Sequence, residues 1–103
     1  MDNVDHVKDF LRGQNLEQLG RADEAIDLYE AAVTAGFDSI GPYDRLIALY
    51  SQRALHRDVI RVADLALANV HTYEEKKTWY RQIKDQAQRA GSDVPTAAPK
   101  QDR

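Results

Sequence analysis

A chain of 103 residues, 43% of them hydrophobic, is long enough to form one domain with its own core. The absence of cysteine excludes disulfides, thiolate catalysis and cysteine-ligated zinc. The net charge of −3 hides an asymmetry: residues 1–50 hold ten acidic side chains against Lys8, Arg12, Arg21 and Arg45, whereas residues 51–91 hold eight basic against five acidic. Met1 leads into Asp2, Asn3 and Asp5 without the basic start and apolar run of a secretory signal. No apolar stretch reaches bilayer-spanning length, so a cytoplasmic protein with no membrane partner is expected.

Val4, Val7, Phe10, Leu11 and Leu16 recur at helical spacing and predict a first helix that ends at Leu19-Gly20. Ala22, Ala25, Ile26, Tyr29, Ala32 and Val33 predict a second, stopped by Gly36. Asp38 and Ser39 offer side-chain oxygens to the start of a third helix, and Pro42 suits its first turn. That helix carries Tyr43, Leu46, Ile47, Leu49 and Tyr50, and breaks near Ala54-Leu55-His56, where no Gly or Pro marks the turn. Val59, Ile60, Val62, Ala63, Ala66 and Leu67 predict a fourth helix, broken at Asn69 to His71. Thr72 with Glu75 is a capping-box pattern for a fifth, from about Tyr73 to Ala90, with Trp79, Tyr80, Ile83 and Ala87 on its apolar side and Gly91 closing it. The segment Ser92–Arg103 has two prolines and no period, and is expected to be disordered. No strand-like alternation competes.

A shift of 34 residues superimposes the second pair of helices on the first: Leu16 falls on Tyr50, Gly20 on Ala54, Ala25 on Val59, Ile26 on Ile60, Leu28 on Val62, Ala32 on Ala66 and Val33 on Leu67. One hairpin cannot bury its apolar face alone, so self-similarity at a fixed period predicts stacked hairpins. Gly13, Gly20, Ala25, Tyr29 and Ala32 in the first unit, and Tyr43, Leu46, Tyr50 and Ala66 in the second, resemble the tetratricopeptide repeat motif in order and spacing. Asp9 and Arg12 stand where that motif has large apolar residues, so Phe10 and Leu11 are expected to fill that layer. Ala54 replaces its second-unit glycine. The resemblance implies an all-α fold of antiparallel helical hairpins stacked as a short right-handed α-solenoid of five helices. Residues 1–91 would form the domain, with repeats at about 6–39 and 40–72, a capping helix at about 73–91, and the tail 92–103.

Sites for chemistry are not apparent. His6, His56 and His71 are isolated and read as surface residues, not metal ligands. Asp23, Glu24, Asp27 and Glu30 complement the start of the second helix rather than forming an acid–base pair. Ser39, Ser51 and Ser92 lack the glycines of a nucleophile elbow, and no phosphate-cradling loop occurs. Arg53, Arg57 and Arg61 with Lys77, Arg81 and Lys84 form basic runs, but a pI near 5.5 and the lack of a nucleic-acid motif favour a solvated face or an acidic peptide. An enzyme, a cofactor and a nucleic-acid partner are therefore not expected.

Family members usually bind peptides in the concave groove lined by the first helix of each hairpin. Here the resemblance places Phe10, Gln14, Glu17, Gln18, Asp44, Arg45, Ala48, Ser51, Gln52, Thr78, Gln82, Asp85 and Arg89 along it. Arg45 and Arg89 are the expected contacts for an anionic group, with pairing to Asp44 or Asp85 as the alternative. The carboxylate clamp of chaperone-tail binders is not matched, because its positions hold Phe10, Gln14, Arg45, Glu75 and Trp79. Of the adjacent Trp79 and Tyr80, one is expected in the core and the other as an exposed anchor. The expected function is a protein-interaction adaptor binding a peptide or helix of a partner, an acidic peptide among the candidates. The alternative is a self-associating scaffold or accessory subunit, with acidic and basic parts of two copies joined in a weak homo-oligomer.

Overall fold

A computed structural model describes residues 3–71 and 74–93. It contains five helices: α1 (Asn3–Gln18), α2 (Ala22–Thr34), α3 (Ile40–Gln52), α4 (His56–Asn69) and α5 (Glu75–Asp93). No strand occurs among the described residues. Each helix packs on the next in sequence, and α2 also touches α4. Short links between packed neighbours require the chain to reverse at each turn.

Three of these reversals use one device. Gly20, Gly36 and Ala54 adopt positive φ, at 77°, 76° and 56°. The following amide then reaches back to an unsatisfied carbonyl in the last helical turn: Arg21 N to Leu16 O at 2.8 Å, Phe37 N to Ala32 O at 3.1 Å, and Leu55 N to Tyr50 O at 3.0 Å. Ala54 thus marks the turn that lacks a glycine signal.

The core is made by the expected stripes. Ala25, Tyr29, Ala32 and Val33 of α2 are fully buried with Tyr43 and Leu46 of α3 and Val62, Ala63 and Ala66 of α4. Tyr80 and Ala87 of α5 close the far side, with Trp79 and Ile83 partly buried against the same cluster. Tyr80 is therefore the core member of the adjacent aromatic pair.

Several local expectations are corrected. Phe10 and Leu11 do not both fill the first layer: one helical step turns a side chain by about 100°, and Leu11 is 53% exposed. Phe10 fills the layer alone, its ring 5.8 Å from that of Tyr29 and over Gly41, where an added Cβ would lie 2.5 Å from Phe10 Cζ. His6 is not a surface residue. It is 4% exposed, with its ring 5.4 Å from that of Phe37, because it lies on the same side of α1 as Phe10 and Gly13. Ser39 stands extended before α3 without a side-chain cap bond. Asp38 instead accepts a hydrogen bond from the His71 backbone N–H at 2.8 Å, tying the α2–α3 link to the end of α4. Gly91 does not end α5, which continues to Asp93. The Thr72 capping pattern, the helix start at Tyr73 and the tail beyond Asp93 lie outside the described residues.

Candidate functional site

Polar side chains between the helices form three sets with the same chemistry. In each, a tyrosine hydroxyl donates to a carboxylate that also holds a cation. Glu17 of α1 accepts Tyr29 Oη of α2 at 2.6 Å, and takes Arg45 of α3 through both oxygens, at 2.6 and 3.0 Å. Glu30 of α2 accepts Tyr50 Oη of α3. It also receives both terminal nitrogens of Arg61 of α4, at 3.0 and 2.6 Å. Asp44 of α3 accepts Tyr80 Oη at 2.8 Å and Lys76 Nζ, both of α5, at 3.1 Å. Charged, two-pronged bonds of this kind fix relative orientation as well as adding energy.

The electrostatics follow from the same contacts. The Arg45 guanidinium holds the Glu17 carboxyl below the usual carboxylate range, outweighing burial, with the Tyr29 bond adding to it. Burial pushes Glu30 up, but Arg61 and Tyr50 together bring it below the ordinary value. Burial first, and then the carboxylate each one faces, raises Tyr29, Tyr50 and Tyr80 above an ordinary phenol. These groups are locked in pairs rather than poised for proton transfer. Among the described residues no group of three or more His, Asp or Glu could hold a metal ion.

The groove residues expected from the sequence divide by location. Gln14, Glu17 and Gln18 of α1 meet Arg45 of α3 around one open depression of about 300 Å³. Phe10 is half-buried and serves in packing, as above, while Asp44 is taken by Tyr80 and Lys76. Ala48 is half-buried, and Ser51 and Gln52 are exposed at the end of α3. Ser51 borders a different hollow of about 160 Å³ with His56, Val59, Ile83, Gln86, Ala87 and Ala90, smaller than the roughly 300 Å³ lower bound for small-molecule sites. Thr78, Gln82, Asp85 and Arg89 are exposed on α5, about half a turn from the inward Tyr80, Ile83 and Ala87, and do not join the α1–α3 depression.

The two arginines expected to meet an anionic group both hold carboxylates. Arg89 pairs with Asp85 at 2.9 Å, the anticipated alternative. Arg45 pairs with Glu17, two links and a whole helix away in sequence, rather than with its neighbour Asp44. Trp79, half-buried, carries Lys76 Nζ 3.7 Å from its ring centroid, so its face is already covered by a cation.

Sequence reasoning missed the exposed side of α1, where Val7 and Leu11 are 45% and 53% accessible. A signal was present. Val7 and Leu11 are four residues apart and share a side, whereas Phe10, Gly13 and Leu16 belong to another, so one apolar stripe contained two. No helix among the described residues is long and apolar enough to cross a membrane. Compared with known proteins, the chain matches no family model, no curated protein and no solved structure.

Proposed function

We propose that this chain is a protein-interaction module of tetratricopeptide-like stacked hairpins, which receives a peptide or helix of another protein along the side formed by α1 and α3. The observation that carries the reading is the shared depression: Gln14, Glu17 and Gln18 come from one helix and Arg45 from another, on a framework held by buried packing and two-pronged ion pairs. The amide side chains of Gln14 and Gln18 can each donate to and accept from a peptide backbone, and an apolar stretch of α1 adjoins them. A rigid surface built on helices loses little conformational entropy on binding.

A photo-crosslinking residue placed at Gln18, compared with one at Asp27 on the exposed side of α2, tests this in cells of the native host. Partner capture from position 18 and not from position 27 supports the reading. Capture from position 27 alone moves the site to the other face.

The second reading, self-association, has one observation in its favour. The acidic and basic parts of the chain fall at opposite ends of the helix order, α1–α2 against α4–α5. Light scattering at low and high salt separates the two, because a dimer joined by such charges dissociates as salt rises.

A further inference from the structure

The last turn of α5 lies against the first turn of α4: a Cβ added at Gly91 would be 3.7 Å from His56 Cβ. Beside this contact, at the end of α3, is the hollow of about 160 Å³ bordered by Ser51 and His56. Its walls are apolar, with the buried Val59 and Ala87 next to Ile83 and Ala90. Ala87 and Ala90 carry only a methyl group each, so α5 faces the space without filling it. The hollow is too small for an ordinary small-molecule ligand, but a space of about 150 Å³ admits a group as large as benzene. The inward stripe of α5 points to what that group is. Tyr80, Ile83, Ala87 and Ala90 recur at spacings of three, four and three, and the next step of four is Val94, the first residue after α5.

We propose that the hollow is the seat of this chain's own tail. The Val94 side chain, followed by the ring of Pro95, packs over Val59 and Ala87 and straps the end of α5 to the α3–α4 link. The proposal is independent of the α1–α3 reading. It closes the part of the expected groove that holds Ser51, and leaves the depression around Gln14, Glu17, Gln18 and Arg45 as the open part.

Three features of the sequence select this occupant. Val94 is the only large apolar residue among positions 92–103. Ser92 and Asp93, expected to begin a disordered tail, are already helical, so α5 carries the stripe up to Val94 itself. Pro95 then disfavours a further helical turn and biases the residue before it toward extended backbone, which directs the chain off the α5 axis at this point. Reach is short, because Val94 is four residues past Ala90, about 6 Å along a helix. A tethered segment also escapes most of the translational and rotational loss that a separate molecule pays on binding. Few residues need to be ordered, and proline arrives with its φ already fixed.

The test is NMR spectroscopy of the full chain. Proton NOEs should connect the Val94 methyls to those of Val59 and Ile83, and the backbone heteronuclear NOE should stay high through Val94 and fall by Gln101. Val94→Asp sets a charge against the apolar wall. It should abolish those contacts and lower the heteronuclear NOE at position 94 to that of Gln101. It should also speed exchange of the Val59 amide, bonded to Leu55 O at 3.1 Å in the first turn of α4, by about tenfold. Val94→Ile should keep the contacts and the slow exchange. Position 94 follows the last helix, so circular dichroism should be the same in all three chains. Val94 as mobile as Gln101 in the unaltered chain, or a Val59 amide that exchanges equally fast in Val94→Asp, would overturn the proposal. Contacts that fade on dilution would overturn it too, by assigning the hollow to the tail of a second copy.

Discussion

α1 and α3 occupy matching places in the 34-residue period, yet they meet different surroundings. α3 lies between α2 and α4 in the packing order and buries Pro42, Tyr43, Leu46, Ile47, Leu49 and Tyr50. α1 packs chiefly on α2, buries Gly13 and His6, and leaves Val7 and Leu11 in solvent. The sharpest difference lies inside the hairpins. Gly13 of the first faces Tyr29, and the positions 34 further on are Ile47 and Ala63, all four buried. The two hairpins fill one layer with opposite size choices, small then large in the first and large then small in the second. Volume is held across the pair rather than at each position, as close-packed interiors require.

The largest effect should come from breaking that pairing. Tyr29→Ala removes a fully buried ring and the hydroxyl bonded to Glu17, and should cost about 3–5 kcal/mol in urea melts. Gly13→Ile should cost about 1–3 kcal/mol, because an added Cβ would already lie 2.5 Å from Tyr29 Cε1. Together they reproduce the second hairpin's choice, so the double variant should recover roughly 1–3 kcal/mol relative to the sum of the singles. Strict additivity would show that positions 13 and 29 do not share a packing layer. Ala32→Leu, at a fully buried position, should likewise cost about 1–3 kcal/mol, whereas Ala35→Leu, exposed beyond the end of α2, should cost little.

The polar sets that tie the first hairpin to the second give a pH dependence. Glu17 and Glu30 have folded pKa values below the ordinary carboxylate, so the unfolded chain binds more protons in acid. Their contribution is complete above the unfolded value of about 4.3 and is lost as pH falls through the folded values. Tyr29, Tyr50 and Tyr80 are shifted the other way, so their contribution is complete below about pH 10 and is lost above it. The melting temperature should be flat between these limits and fall on both sides. Glu17→Gln should flatten part of the acid side while leaving the Glu30 part. An acid side unchanged in Glu17→Gln would mean that the Arg45 pair does not survive in solution.

Much of the fold was legible because it depends on local pattern. The stripes of Tyr29–Ala32–Val33 and Tyr43–Leu46–Tyr50 hold the helical period, and glycine signals turns at Gly20 and Gly36. The candidate surface was less legible, because it depends on which partner each charge finds. The resemblance puts Arg45 on one side with Gln14, Glu17 and Gln18, and these four line one depression. The occupation of Arg45 by Glu17, 28 positions away, is a tertiary fact that no local rule predicts. His6 departs from its expected exposure for a related reason: its burial comes from Phe37, in the link between α2 and α3, and a lone polar residue in a sequence looks exposed by default.

The smallest effect returns to the turns, where the hairpins differ by one methyl group. Gly20 and Ala54 close matching turns with the same backbone bonds, but a Cβ at φ 56° crowds the following carbonyl. That conformation costs an L-residue roughly 1–2 kcal/mol. Glycine in its place gains back this strain but loses about 0.4–1 kcal/mol through the greater freedom of the unfolded chain. The difference leaves Ala54→Gly more stable by about 0.5–1 kcal/mol, since Ala54 is exposed and its methyl buries nothing. Gly20→Ala should lose a similar amount, because nothing lies within 4 Å of the added Cβ and only the backbone strain is felt. Opposite signs at the two turns, read as shifts of the urea midpoint at constant slope, would establish that both hairpins use one turn geometry. A loss at both would show that Ala54 is held in its conformation by contacts that a glycine would release.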